Sequence, residues 1–419
     1  MAALSQSTVK LRNAWKVIRI LTSQPKADSI SDSIQKSIYL DNAATSFPKP
    51  ECVYDAVDKY NRENGRAVGR GSSDLGQKLQ QTVDRCRFRA AQVLGASAKE
   101  QIVFTLNCTD SLNMILHGLL TPGDHVVTSV AEHNSVLRPL RHLEANRDVT
   151  LTLVDVDDAG FFDAAEVEKA IRPETQLIML QHASNVTGAI QPLEDVSEIA
   201  DKHSVSFAVD AAQTAGHVPL NVEQLGADFV ACSGHKGLMG PLGTGLLYVA
   251  PGCEKELTPT RQGGTGSKSE SDTQPESMPD RFESGNHNSP GIVGLDAALG
   301  YLLEHGIDQL RQHEIALTEQ LCDQLRSIPS LTLYSNDDRN RHTGVVSLTS
   351  ELYTSDELAL LLSQHFGIDT RSGLHCAPGI HRRLGTIERQ GTVRLSVGFQ
   401  TTQDDIDAVI DALQQVSAG

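Results

Sequence analysis

Five polar residues that could do chemistry follow two short apolar stretches of the sequence. They are Asp210, Gln213, Ser233, His235 and Lys236. The apolar stretches, residues 205–209 and 229–232, have the length and composition of buried strands. Side chains that follow neighbouring parallel strands meet in one crevice at the edge of the sheet. The sequence therefore predicts an acid, an amide, a hydroxyl, an imidazole and an amine in one site.

These groups suit pyridoxal 5′-phosphate. A lysine holds this cofactor as a Schiff base, and an acid keeps its pyridine nitrogen protonated so that the ring can withdraw electrons. Glycines at 234, 237 and 240 surround Lys236 and would allow the backbone to approach a ligand closely. Either residue alone would be interpreted as a surface lysine or a helix-capping aspartate. Their joint arrangement favours Lys236 as the Schiff-base lysine and Asp210 as the acid.

A third apolar stretch, residues 101–105, leads into Cys108 and Thr109, and a helix is predicted from about residue 111. A strand, a turn and a helix N-terminus form an anion site, because free amides and the helix dipole both favour a phosphate. Alone, this pattern is typical of an ordinary capped helix. Together with a Schiff-base lysine it predicts the phosphate site. His133 follows another strand, as catalytic groups in such sheets do.

Cys376 stands apart from the other six cysteines because of its neighbours. It lies on a loop between a predicted helix, residues 356–366, and a predicted strand, residues 393–397. Arg371 and His375 could be positively charged, and cations lower the pKa of a thiol. Arg371 also suits bidentate capture of a carboxylate. We therefore predict a reactive thiol at Cys376 and a carboxylate site at Arg371.

Several separated motifs resemble the aminotransferase class V family of fold-type I enzymes. Val-Asp-Ala-Ala-Gln at 209–213 and Ser-Gly-His-Lys at 233–236 carry that resemblance. Tyr-Leu-Asp-Asn-Ala-Ala-Thr at 39–45 and Arg-Ser-Gly-Leu-His-Cys at 371–376 narrow it to the cysteine desulfurase branch. The resemblance extends from about residue 38 to the end of the chain.

The resemblance implies a role for each matching residue. It implies that His133 stacks on the pyridine ring and passes protons, and that Asn286 reaches the phosphate across a homodimer. The implied cofactor-binding residues are Cys108, Thr109, His133, Asn185, Asp210, Gln213, Ser233, His235, Lys236 and Asn286. The implied substrate-binding residues are Asn42, Asn185 and Arg371. Cys108 and Asn286 stand where the family usually or often has threonine.

The implied reaction converts L-cysteine to L-alanine and leaves a persulfide on Cys376, with Lys236 and His133 as the other catalytic residues. The short loop at 371–376 resembles that of group II enzymes, which implies a sulfur-acceptor protein and a role in iron–sulfur cluster assembly. Three rivals are a selenocysteine lyase, a simple carbon–sulfur lyase and another class V enzyme, none of which would need Cys376. A non-catalytic scaffold would be expected to have lost Lys236 or Asp210.

The elements that must position these residues alternate between strand and helix patterns. This alternation predicts an α/β protein with a large, doubly wound, mostly parallel sheet and a smaller α/β C-terminal domain. The expected boundaries give a large cofactor-binding domain at 61–291 and a small domain at 292–419, which residues 38–60 complete. A nearly continuous helical pattern is expected from 292 to 328, and a loop near Arg70 is expected beside the site.

Composition excludes several other classes. The chain has 419 residues and a net charge of −17, which disfavours nucleic-acid binding. No apolar stretch approaches the roughly 18 residues of a membrane span. An odd number of cysteines without a CxxC pair argues against a disulfide framework or a zinc site, and favours a reducing compartment. Residues 1–37 form a basic extension that we expect to be poorly ordered; organelle targeting is the alternative to a cytoplasmic location.

Overall fold

The computed structural model describes residues 37–68, 73–268, 270–335 and 338–418. The expectations for residues 1–36 and for Arg70 lie outside these ranges. Residues 38–419 form one compact unit, which is described here. Its strands are β1 (Ile38–Tyr39), β2 (Ile102–Thr105), β3 (His125–Ser129), β4 (Thr150–Val154), β5 (Thr175–Gln181), β6 (Ser206–Asp210), β7 (Phe229–Ser233), β8 (Gly245–Val249), β9 (Leu331–Leu333), β10 (Val345–Ser350), β11 (Ile368–Asp369), β12 (Arg371–Gly373) and β13 (Thr392–Ser396).

The helices follow the expected alternation with the strands. They are α1 (Glu51–Glu63), α2 (Asp74–Leu94), α3 (Cys108–Leu119), α4 (Asn134–Asn146), α5 (Ala164–Ala170), α6 (Leu193–His203), α7 (Ser289–His305), α8 (Ile307–Leu325), α9 (Ser355–Phe366), α10 (Pro378–Arg383) and α11 (Gln403–Ala418). Helix α9 shows why such segments form. Thr354 and Glu357 make a reciprocal capping box at its start, and Gly367 ends it in a left-handed conformation. No helix within the described ranges has the length and apolar character needed to cross a membrane.

The large sheet has seven strands in the order β2-β8-β7-β6-β5-β3-β4. Strands β3 to β7 are mutually parallel where they pair, and β8 is antiparallel to both of its neighbours. Successive residues of a strand face opposite sides, so Ile178 packs into one hydrophobic cluster and Met179 into another. Helices cover both faces, which confirms the predicted doubly wound sheet.

The small domain contains an antiparallel sheet of order β12-β13-β10-β9 and a parallel pair formed by β1 and β11. Leu40, which follows β1, is buried in the same hydrophobic cluster as residues of α8, α9 and α11. The N-terminal strand therefore joins the small domain, although it is separated from β11 by most of the chain.

The helical pattern beginning near residue 292 is divided into two helices at Gly306, whose φ of +80° does not belong to a continuous right-handed helix. Ile292 and Leu295 of α7 lie in the same core as Val53 of α1 and the large sheet. Helix α7 therefore packs with the large sheet, and the expected boundary between residues 291 and 292 falls inside it. Of the segment expected at 38–60, α1 likewise packs with the large sheet.

Candidate active site

A cavity of about 190 Å³ lies at the carboxyl ends of β5, β6 and β7. The predicted residues that line it are Cys108, Thr109, His133, Asn185, Asp210, Gln213, Ser233, His235 and Lys236. Asn107, Ser135 and Gln181 also line it and were not predicted. The cavity stands at the edge of the sheet where parallel strands deliver their carboxyl ends, as the sequence pattern indicated.

The acid of the site is held by two donors to one oxygen. Oδ1 of Asp210 accepts a hydrogen bond from the amide of Ala212 (2.9 Å) and one from the thiol of Cys108 (3.3 Å). Burial, and then Asp210, raise the pKa of Cys108 well above 9.0, so the thiol keeps its proton and acts as a donor. Both of these bonds go to Oδ1, which leaves Oδ2 available to a ligand in the cavity.

Lys236 follows β7 and presents its amine to the same cavity. Burial lowers its pKa, while Asp210 opposes that shift. Arg371 and Arg394 also lie near enough to lower the pKa of Lys236. An amine with a lowered pKa is more often neutral, which is the form that attacks a carbonyl or accepts a proton.

The N-terminus of α3 lies at the cavity where the anion site was predicted, and the helix begins at Cys108, three residues earlier than expected. Asn107 caps the helix by accepting a hydrogen bond from the amide of Asp110 (2.9 Å). The hydroxyl of Thr109 lies 2.7 Å from that of Ser135. These hydroxyls and the free amides of the first turn can receive a phosphate.

His133 is neutral and has a defined orientation. Its Nδ1 accepts a hydrogen bond from the amide of Ser135 (3.1 Å), so the ring proton lies on Nε2. Burial lowers its pKa to about 4, and Asp210 only partly opposes this shift. The ring is therefore uncharged near neutral pH.

The loop that carries Cys376 is tied directly to the cavity. Nδ2 of Asn185 donates to the carbonyl of His375 (2.6 Å), and the amide of Asn134 donates to the carbonyl of Cys376 (2.7 Å). His375 and Cys376 have φ angles of 47° and 57°, a left-handed pair that non-glycine residues seldom adopt. The thiol of Cys376 is exposed beside the site and does not line the cavity itself.

The expected cationic role of His375 was wrong. Its ring is buried and bonds Thr392 through Nε2 (2.9 Å to Oγ1). Burial, followed by the repulsion of Arg394, lowers its pKa well below 6.5. The imidazole is neutral and supports the loop, and the cations near the thiol's loop are arginines.

Arg394 is the main site residue that the sequence interpretation missed. It lies on β13 and is only 2% exposed. Nη2 donates to Oδ1 of Asp41 (2.6 Å) and Nη1 to the carbonyl of Asn185 (3.2 Å), while the buried Nε has no partner within the described chain. The available signal was a lone arginine inside an otherwise apolar strand pattern.

Three further predicted residues do not line this cavity: Arg371, which lies on β12, Asn42 and Asn286. The side chain of Asn42 is already hydrogen-bonded: its Nδ2 donates to the carbonyl of Ser396 (2.9 Å), and its Oδ1 accepts from the backbone amide of Phe47 (3.3 Å). Asn286 lines a separate cavity of about 90 Å³ near Phe104. Contact of Asn286 with a phosphate remains a prediction.

The cavity residues fit pyridoxal 5′-phosphate. Oδ1 of Asn185 and Nδ1 of His235 are buried without a partner in the described part of the chain, which indicates that a ligand completes their bonding. A neutral-leaning amine, a carboxylate with a free oxygen and a helix N-terminus match the aldehyde, the pyridine nitrogen and the phosphate of the cofactor. Gln213 donates to the carbonyl of Ala43 (3.1 Å) at the cavity wall. No group of three or more potential metal ligands occurs within the described ranges.

This fold and site place the chain in the aminotransferase class-V family, whose sequence pattern it matches over residues 38–409. It is 33% identical to the probable cysteine desulfurase of Methanothermobacter thermautotrophicus, covering 92% of this chain and 96% of that protein. It is 31% identical to the cysteine desulfurase of Yersinia pseudotuberculosis, covering 91% and 94%. The apo cysteine desulfurase structure from Thermococcus onnurineus superposes with a TM-score of 0.85 at 33% identity, covering 91% and 95%. Within the aminotransferase class-V family, the chain belongs to the cysteine desulfurases.

Proposed function

We propose that this protein converts L-cysteine to L-alanine with pyridoxal 5′-phosphate on Lys236 and collects the sulfur as a persulfide on Cys376. The observation that carries this proposal is the tether between the two centres. Asn185 lines the cofactor cavity and also holds the carbonyl next to Cys376. An exposed thiol tethered to the cavity that holds the amine of Lys236 suits the transfer of a sulfur atom from a bound substrate to that thiol.

The cavity residues supply the proton chemistry. Pyridoxal 5′-phosphate, when bound, withdraws electrons from the substrate and makes its Cα proton acidic. Asp210 would keep the pyridine nitrogen protonated, and Lys236 would take the Cα proton because burial favours its neutral form. His133 relays protons through Nε2, the nitrogen that Ser135 leaves free. Near neutral pH, Lys236 therefore supplies the base and the neutral ring of His133 offers a proton donor at Nε2.

Two arginines are candidates for the substrate carboxylate. Arg394 is fixed by Asp41, and its Nε is buried and unpaired within the described chain. A carboxylate would complete its bonding and would be held in a defined orientation. Arg371 is half-buried on the neighbouring strand and adds a second positive charge. We assign the main contact to Arg394 and a supporting one to Arg371.

The loop that carries Cys376 supplies the nucleophile for the transfer of sulfur. The thiolate of Cys376 attacks the substrate sulfur, the bond from that sulfur to Cβ breaks, and its electron pair stays with carbon. A proton then completes the methyl group of alanine, and the sulfur remains on Cys376 as a persulfide. Because the thiol is exposed, a sulfur-acceptor protein can reach it. We further propose a homodimer, from the resemblance at Asn286, and a role in iron–sulfur cluster assembly, from the loop at 371–376. The cysteine content favours a cytoplasmic location.

The test supplies L-cysteine to purified protein and measures alanine and sulfide with and without a reductant. We expect equal amounts of both with reductant, and without it one added sulfur on the peptide that contains Cys376. Cys376→Ala should abolish the release of alanine and sulfide as well as the added sulfur. The control Cys52→Ala, at another exposed cysteine, should abolish none of these. Sulfide release by Cys376→Ala at the wild-type rate would instead indicate a lyase. Borohydride should fix the cofactor on Lys236, and a label elsewhere would refute the assignment.

The same assay with L-selenocysteine distinguishes the nearest rival. Selenium leaves carbon more readily than sulfur and needs less help from a thiol. A desulfurase should therefore lose cysteine turnover in Cys376→Ala and keep part of its selenocysteine turnover. A lyase specific for selenocysteine would show little cysteine turnover in the wild type.

A further inference from the structure

The carbonyl oxygen of His235, the residue before Lys236, accepts hydrogen bonds from four donors. These are the amide of Ser46 (3.1 Å), Oγ1 of Thr45 (3.0 Å), Oγ of Ser46 (3.3 Å) and Nζ of Lys49 (2.7 Å). Oγ of Ser46 also lies 3.0 Å from the carbonyl oxygen of Lys236, so its single proton is shared between the two carbonyls. A carbonyl usually accepts one or two hydrogen bonds, so the segment 45–49 grips this peptide unusually tightly.

Lys49 is the charged member of this group. Its ammonium bonds Oγ of Ser46 (2.8 Å) as well as the carbonyl of His235, and no carboxylate lies within ion-pair distance of it in the described chain. Burial lowers its pKa to about 8. The ring of His235 lies near enough for Lys236 and Lys49 to lower its pKa, which falls to about 4 mainly through burial. The hydroxyl of Tyr54 accepts a hydrogen bond from the backbone amide of Lys49 (2.9 Å) and does not bond its ammonium. The backbone carbonyl is thus the main compensation for a partly buried cation.

This arrangement matters because of what Lys236 must do. Its side chain has to release the cofactor, take a proton from the substrate and return, and each step needs the amine within hydrogen-bond reach of its target. The peptide bond between His235 and Lys236 fixes the position of the Cα atom from which that side chain extends. A charged hydrogen bond to the carbonyl of this peptide is stronger than a neutral one, and it therefore restrains the backbone at Lys236.

We propose that Lys49 is a positioning residue, which holds the backbone of Lys236 through the carbonyl of His235 with Ser46 as the bridging group. Lys49 does not line the cavity, so it acts through Lys236 and not on the substrate. The inference rests on the proposed function of Lys236. It predicts that removing the ammonium loosens residues 233–240 and slows turnover without weakening substrate binding.

The first experiment measures hydrogen–deuterium exchange on the cofactor-free protein. Lys49→Met should speed exchange at least severalfold in peptides covering 45–49 and 234–240, where the amides of Ser46 and Met239 bond the two carbonyls. Lys49→Arg keeps a charged donor and should restore most of the protection. Lys59→Met, which removes an exposed lysine on α1, is the matched control and should not change these peptides.

The second experiment measures cysteine turnover by the cofactor-loaded proteins. Lys49→Met should lower kcat about tenfold, which is about 1.4 kcal/mol of barrier, with KM little changed, and Lys49→Arg should recover most of it. If Lys49→Met does not fold, Ser46→Ala removes the bridging hydroxyl and should give a smaller effect of the same kind. Unchanged exchange in Lys49→Met would overturn the proposal. Exchange needs neither cofactor nor cysteine, so it stays informative if the proposed reaction is wrong.

Discussion

Glu132 offers the sharpest test of the electrostatics behind the site. It lies directly before His133 and its side chain is fully buried. Oε1 accepts a hydrogen bond from Oγ of Ser129 (2.6 Å), whereas Oε2 has no partner in the described part of the chain. Burial raises the pKa of this carboxyl from 4.5 to about 8. The folded protein therefore holds a proton at Glu132 that the unfolded chain releases at neutral pH.

This proton makes stability fall as the pH rises. The folded-state pKa is above the unfolded value, so the stabilisation is complete below about pH 4.5 and is lost as the pH rises through about 8. Each pH unit in this window costs about 1.4 kcal/mol. Between about pH 6 and pH 9 the loss amounts to about 2.5 kcal/mol, because it levels off above the folded-state pKa.

The assay compares urea unfolding of the wild type and Glu132→Gln in cofactor-free form at pH 6 and pH 9. Glutamine has nearly the same shape and cannot ionise. We expect the unfolding free energy of the variant relative to the wild type to rise by about 2.5 kcal/mol from pH 6 to pH 9.

Comparing the two proteins at each pH removes the contributions of all other titrating groups. Glu198→Gln, which makes the same change on the exposed face of α6, should show no such rise. If Glu132→Gln and the wild type respond equally to pH, the carboxyl is ionised in the fold, and the reasoning from burial fails.

Further predictions concern the cavity and its supports. Arg394→Lys should raise KM for cysteine about tenfold and leave the visible absorption of the bound cofactor unchanged. A single ammonium cannot replace the two parallel N–H donors of the guanidinium. Asp210→Ala should still bind the cofactor but lower kcat about 100-fold, since the pyridine nitrogen loses its acid; normal turnover would make Asp210 a structural cap. Gly379→Ala should lower the unfolding free energy by about 2 kcal/mol, because its Cβ would collide with the carbonyl oxygen of Val130. Urea unfolding measures the last effect, and an unchanged midpoint would show that α10 can shift freely.

The sequence was informative wherever a local pattern encodes position. Asp210 and Lys236 were predicted correctly as cavity neighbours because each follows a short apolar strand, and strand ends of a parallel sheet converge. The doubly wound sheet followed from the alternation of strands and helices.

The rest depended on contacts between distant parts of the chain. Arg394 breaks the apolar pattern of its strand, and its partner Asp41 is 353 residues away in the sequence. Lys49 looks like a surface lysine between two prolines until the fold brings His235 against it. His375 was misjudged because burial decides its charge, and the burial of one ring is not visible in a local pattern.

The pairing of β1 with β11 has a consequence for synthesis. Lys236 leaves the ribosome long before residues 368–396 are made, so the nascent chain exposes Lys236 before its small domain exists. Asn42 donates to the carbonyl of Ser396 across 354 residues of sequence, and β1 aligns with Ile368 and Asp369. We therefore expect the segment that precedes residues 45–49 to reach its final position only when residues 368–396 have been made. Contacts between residues so far apart in the sequence favour slow folding. We therefore expect the cofactor to bind the completed chain and not the growing one.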